Sequence, residues 1–395
     1  MIAKQYVDML GRKSKIRELS EFAVARGKEI GYENVFDFTL GNPSVPAPEE
    51  FTEEMMRLLR DGDPVKLHGY SQSLGIYEVR EAIAKSLSER FGLPYRAEHI
   101  FMTSGAAGAI AHAVRCVAEA GDEIITFAPY FPEYIPYVNQ SGAVLRIVPA
   151  NFENFQIKFD EFEKMINERT AAVLINTPNN PSGVLYSEGT LKVLADILYR
   201  KQKEYGHDIF IISDEPYREI VFDGKKYPSP ETFYNNTVMC YSFSKSLSIP
   251  GERIGYVAFP PSHPQAETMT TMCGQISRGI GHNCPASIIQ LAVSRVLDKT
   301  SDLSVYEKNR NIICKTLDKL GFTYVKPDGT FYILPKALEE DAGEFCRKAA
   351  KYDLVFVPAD SFGACGYFRI AYCVSTEKTE RAMRVLEKFV RKEYK

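Results

Sequence analysis

The sequence predicts an α/β protein: a mostly parallel sheet covered by helices, with a smaller α+β domain beside it. Three observations lead there. Between residues 99 and 241, short continuously apolar runs alternate with segments of helical period, the pattern of strands buried on both faces by crossover helices. Beyond residue 285 the texture changes to short strands set between long amphipathic helices. A chain of 395 residues also exceeds what one hydrophobic core sustains. The expected division is an N-terminal arm over 1–47 that forms part of the small domain, a large ligand-binding domain over 48–284, and the C-terminal small domain over 285–395.

Residues 14–30 read as an amphipathic helix with Ile16, Leu19, Phe22 and Ala23 on one side. Residues 35–40 read as a strand running into the turn Gly41-Asn42-Pro43, and the Pro-rich 44–48 as a crossover between domains. Helices are expected at 49–60 and 75–91, flanking a polar loop that contains His68-Gly69-Tyr70. Strands follow near 100–103, 123–127, 143–148, 171–176, 208–213 and 237–241, and another apolar run follows Arg253. The helices between them are expected from Ser104 through Ala120, near 160–166 and at 187–205. In the last part, helices are expected at 285–297, 302–320, 337–351 and 376–392, with strands near 322–325, 330–334, 354–357 and 368–372.

Composition narrows the function. The chain is 45% hydrophobic and 25% charged, as a soluble globular protein is. A formal net charge of −3 provides no global field for nucleic acid or anionic membrane, so neither is expected as a partner. The eight cysteines show no Cys-x-x-Cys spacing, which fits free thiols in a reducing cytoplasm. The N-terminus has no signal-peptide core and no apolar run reaches bilayer length, so a cytoplasmic location is expected. No metal is expected.

The chemistry concentrates at 238–259. There Ser242-Phe243-Ser244-Lys245 interrupts two apolar runs, and Arg253 follows the lysine by eight residues. An amine held in an apolar setting loses solvation, its pKa falls, and its neutral form can attack a carbonyl. Ser242, Ser244 and Arg253 suit an anionic oxygen group such as a phosphate. A solvated surface lysine is the bland alternative, and other strand ends argue against it.

In open α/β sheets ligands bind beyond the carboxyl ends of the strands. Ser104-Gly105-Ala106-Ala107 opens a helix at one such end, where free N–H groups favour an anion. Phe131, in Pro129-Tyr130-Phe131-Pro132, offers an aromatic face for a flat ligand, or packing at a domain seam. Asn179-Asn180-Pro181-Ser182-Gly183 is turn chemistry at a third end. Asp214, in Asp214-Glu215-Pro216-Tyr217, would need a cationic partner if buried. Arg369 stands in the apolar Tyr367-Phe368-Arg369-Ile370-Ala371, and buried arginines need a carboxylate or phosphate. An amine, a ring-nitrogen acid, a stacking aromatic, phosphate donors and a spare arginine are together what pyridoxal phosphate requires.

These elements resemble the class I/II aminotransferases of the fold type I pyridoxal phosphate enzymes, over nearly the whole chain. The matching motifs are Gly41-Asn42-Pro43, Gly69-Tyr70, Ser104-Gly105-Ala106, Asn180-Pro181-Ser182-Gly183, Asp214-Glu215-Pro216-Tyr217, Ser242-Phe243-Ser244-Lys245, Arg253-Ile254-Gly255 and Phe368-Arg369-Ile370. The resemblance implies a large pyridoxal phosphate-binding domain and a transaminase that works by a ping-pong mechanism on amino acids and 2-oxo acids. It implies that Lys245 is the Schiff-base lysine and general acid/base. Asp214 would keep the ring nitrogen protonated, Tyr217 and Asn180 would bond the phenolic oxygen, and Phe131 (or Tyr130) would stack on the ring. Gly105, Ala106, Ala107, Ser242, Ser244 and Arg253 would form the phosphate site. Tyr70 would reach the phosphate of a neighbouring subunit, which implies a homodimer. Arg369, with Gly41 and Asn42, would hold the substrate α-carboxylate.

Two rivals accompany this reading: a β-eliminating carbon–sulfur lyase on the same cofactor, and a cofactor-binding regulator without chemistry. The motifs leave the substrate open. Arg278 is a candidate for an acidic side chain or for a reach across to the partner, and Tyr32, Cys365 and Tyr367 are candidates for the pocket wall.

Overall fold

The computed structural model describes residues 2, 4, 6, 7 and 15–395; Ser14, where the first helix is expected to begin, lies outside them. A helix spans Lys15–Ile30. Strand β1 (Phe36–Asp37) pairs in parallel with β10 (Leu354–Val355), which ties the N-terminal segment to the C-terminal part of the chain.

Among the described residues the main sheet has seven strands. They are β2 (Ile100–Thr103), β3 (Glu123–Phe127), β4 (Val144–Val148), β5 (Thr170–Asn176), β6 (Phe210–Asp214), β7 (Thr237–Ser242) and β8 (Gly255–Ala258). Their spatial order is β2-β8-β7-β6-β5-β3-β4. β8 runs antiparallel to both neighbours and the other pairs are parallel. β5 and β6 are buried at every residue because helices cover both faces. On one face Ile124, Leu174 and Ile212 pack with Ile110, Ala113 and Val114 of the helix Gly105–Val117. On the other, Ile125, Val173 and Ile211 pack with Leu191, Leu194 and Leu198 of the helix Glu188–Tyr205. Ser187 caps that helix by accepting from Thr190 N at 3.0 Å, and Gly206, at φ 75°, ends it.

The smaller domain carries the antiparallel set β11 (Val357–Pro358), β12 (Phe368–Ala371) and β9 (Tyr332–Ile333). Its core joins Phe345, Phe368, Leu386 and Phe389. Several expected elements differ here. Residues 322–325 form no strand, since their backbone bonds go elsewhere: Phe322 N donates back to Leu317 O at 3.0 Å, closing the preceding helix, and among the described residues Thr323 O accepts from Lys336 N alone, at 2.8 Å. The expected strand 354–357 divides at Phe356, because its first half pairs with β1 and its second with β12. The expected helix 337–351 shortens to Ala342–Ala350, where the Asp341 carboxylate accepts from Gly343 N and Glu344 N and fixes the start. The helix Ala266–Ile280, for which the sequence reading assigned no element, covers the sheet through Ala266, Met269 and Cys273. Among the described residues no helix is long and apolar enough to cross a membrane.

Candidate active site

A cavity of about 510 Å³ opens beyond the carboxyl ends of the parallel strands, where the two domains meet. Its wall includes Gly41, Ala106, Ala107, Phe131, Asn180, Asp214, Tyr217, Ser242, Ser244, Lys245, Arg253 and Arg369 from the sequence-derived set.

One end is built for an anion. Ala106 and Ala107 lie in the first turn of the helix Gly105–Val117, whose free N–H groups and dipole favour negative charge. Gly105 stands behind them at φ +78°, and a Cβ there would lie 2.8 Å from Arg253 Nη2. Glycine is therefore what lets the guanidinium pack against the loop. Arg253 is itself left-handed, at φ 51°, and donates to Pro250 O at 2.9 Å and Ser104 O at 3.0 Å. The Ser242 and Ser244 hydroxyls are 2.7 Å apart, and Ser242 Oγ accepts from Ser244 N. These bonds aim two hydroxyls and one guanidinium at the same space.

The middle of the cavity holds an isolated acid. Asp214 ends β6; its Oδ2 accepts from Tyr134 Oη at 2.6 Å, while Oδ1 is buried without a hydrogen-bond partner. Burial pushes its carboxyl up to about 7 against the pull of the Tyr134 bond. Asn176 braces this strand end by donating to Asp214 O at 2.8 Å and accepting from Asn180 N. Phe131 forms a wall of the cavity, with its ring edge-on to Tyr134 at 5.8 Å. Tyr130 turns into the core instead.

Lys245 Nζ donates to Gly41 O at 2.6 Å and stands 5.7 Å from the Phe331 ring. Burial lowers its pKa to about 8; the Cys373 thiol opposes this, and the positive charges of Arg253 and Arg369 add to it. Arg369 is buried and donates to Asn180 Oδ1 at 3.0 Å and to Thr39 O. Its Nε has no partner, and no carboxylate among the described residues pairs with it. Its guanidinium lies over the rings of Tyr332 and Phe362, at 4.7 and 4.9 Å. A cation held this way is ready for a ligand's carboxylate.

Other sequence-derived candidates fall outside. Asn42 is exposed beside the cavity, and Tyr70 projects fully exposed from the surface. Arg278 is exposed on the helix Ala266–Ile280. Tyr32, Cys365 and Tyr367 do not line this cavity: Tyr32 bonds Asp37, Cys365 borders a separate groove, and Tyr367 stacks on Phe152. The sequence reading overlooked three side chains. Tyr134 was visible only as one aromatic among several at 130–134, whereas Tyr332 and Arg17 reach the wall from distant parts of the chain.

The family model for aminotransferase class I and II matches residues 33–386. The chain belongs to this family. An aspartate aminotransferase of Thermotoga maritima is 30% identical over 389 residues, 95% of this chain and 98% of the relative. The aromatic-amino-acid aminotransferase 2 of Thermococcus litoralis is 32% identical, with 96% of each chain covered. Among solved structures, an amino transferase of Eubacterium rectale superposes with TM-score 0.95 at 45% identity, covering 100% of both chains. The transaminase moves an amino group between an amino acid and a 2-oxo acid and depends on pyridoxal phosphate. The site fits that cofactor. The orphaned Asp214 Oδ1 is an acceptor for a protonated ring nitrogen, the cradle beside Arg253 matches a phosphate, and the Lys245 amine matches an aldehyde.

Proposed function

We propose that Lys245 holds the cofactor covalently and serves as the acid/base of the transamination, with Asp214 as partner of the ring nitrogen. When bound, pyridoxal phosphate supplies an electron-accepting ring that eases loss of the substrate's α-proton. Asp214 keeps the ring nitrogen protonated, and burial gives that ion pair its strength. Tyr217 and Asn180 bond the phenolic oxygen, Phe131 covers the ring, and the first turn at Gly105, Ala106 and Ala107 holds the phosphate with Ser242, Ser244 and Arg253. Arg369, assisted near Gly41 and Asn42, orients the substrate through its α-carboxylate, so that the α-proton faces Lys245 Nζ. Released as a free amine when the substrate's own amino group takes its place on the cofactor, that nitrogen would take the proton and later return it. The observation that carries the reading is that the Lys245 amine and a buried Asp214 carboxylate with one oxygen unpaired share one cavity.

The active unit is a cytoplasmic homodimer in which the exposed Tyr70 reaches the partner's phosphate. Dicarboxylic substrates are favoured on two grounds. Several relatives are named aspartate aminotransferases, and Arg17 adds a further cation to the wall with no ion pair to any described residue. Glu133 lines the same wall. Lys245→Ala tests the central assignment: it should abolish both the absorbance change on adding cofactor and turnover. Normal turnover by that variant without added amine would refute it. A screen of amino donors against 2-oxo acids, run beside a pyruvate-release assay, checks transfer and substrate class together.

A further inference from the structure

We propose that Tyr332 is a positioning residue that tunes the cofactor's ring oxygen through Tyr217. The proposal rests on the assignment of Tyr217 to that oxygen. The Tyr217 and Tyr332 hydroxyls are 3.2 Å apart and both side chains are buried. Each phenol carries a single proton. Once Tyr217 commits its proton to the ring oxygen, its own oxygen is left as an acceptor, and the Tyr332 hydroxyl is the donor in place. Hydrogen bonds in such a chain polarise one another, so Tyr332 makes Tyr217 the stronger donor.

Two further contacts fix Tyr332 for this role. A Cβ on Gly41 would lie 1.8 Å from the Tyr332 hydroxyl oxygen, so only glycine at 41 leaves room for that hydroxyl. The Arg369 guanidinium lies over the Tyr332 ring, 4.7 Å from its centroid. One side chain thus touches both the carboxylate clamp and the phenol that faces the cofactor.

Tyr332→Phe removes the hydroxyl and keeps the ring under Arg369. The readout is an absorbance titration against pH of the cofactor-loaded enzyme without substrate. A donor to the ring oxygen stabilises its anionic form, so weakening that donor moves the titration upward. The expected shift is about half to one pH unit, the worth of one neutral hydrogen bond. Gly41→Ala, which would displace the same hydroxyl, should shift the titration in the same direction by a second route. In a Tyr217→Phe background, Tyr332→Phe should add nothing. An unshifted Tyr332→Phe titration, or an equal shift in both backgrounds, would overturn the proposal. If wild-type enzyme takes up cofactor without any pH-dependent absorbance, the assignment of the site itself fails along with it.

Discussion

The amine at Lys245 offers the most direct quantitative check. Lysine is ordinarily protonated far above neutrality, but burial costs the charged form its solvation and lowers this pKa from 10.5 to about 8. At pH 7 about one amine in ten is then neutral, against about one in three thousand for an ordinary lysine, a gain of about 300-fold in reactive form. Capture of an aldehyde needs the neutral amine. The rate at which apoenzyme takes up pyridoxal phosphate should therefore rise about tenfold per pH unit below the lowered pKa and level off above about pH 9. Stopped-flow absorbance measures it directly. The window from about pH 8.5 to 10.5 is the useful one, because Asp214, pushed up to about 7, is there almost fully ionised, and an amine of lowered pKa nears its plateau while an ordinary lysine still gains about tenfold per unit. A rate that climbs without a break to pH 10 would show a solvated lysine and refute the argument.

Three other outcomes are expected. Asp214 has a folded-state pKa raised above the ordinary carboxylate value, so the apoenzyme loses stability as pH rises from about 4 through about 7. Asp214→Asn should flatten that loss in thermal melts of the apoenzyme and weaken cofactor binding tenfold or more; melting curves parallel to wild type would contradict it. Gly105→Ala places a methyl 2.8 Å from the Arg253 guanidinium at φ +78°. It should raise the cofactor dissociation constant by about tenfold, with about 1 kcal/mol of backbone strain, as measured by equilibrium dialysis and denaturant titration. Arg17→Met should raise KM for aspartate by about tenfold and leave a neutral amino acid nearly unaffected; an equal change for both would remove Arg17 from substrate selection.

Much of the large domain was legible because its signals are local. Continuous apolar runs such as 171–176 and 237–241, too short for a buried helix and bounded by turn residues, read as strands covered on both sides, and β5 and β7 lie there. The small domain was less legible. Its strands are two to four residues long and take their partners from far away, so periodicity overstated 354–357 and invented a strand at 322–325. The helix Ala266–Ile280 escaped because its Gly274 and Thr270-Thr271 weaken the local helical signal, while packing against the sheet stabilises it.

Residue types and their order are readable along the chain: an amine between strands at 245, an acid at a strand end at 214, small residues at a helix start, and an arginine in an apolar strand. These follow from short-range chemistry, since strand, turn and helix start each constrain a few neighbouring residues. What those side chains face is set by the folded chain. Tyr134 closes one oxygen of Asp214 and leaves the other open, and Tyr332 meets Tyr217 across 115 positions of chain. Arg17 reaches the cavity because its helix also packs Ile16 and Leu19 against the small domain. Contacts of this kind form between surfaces brought together by burial, and no local pattern along the chain records which surfaces those are.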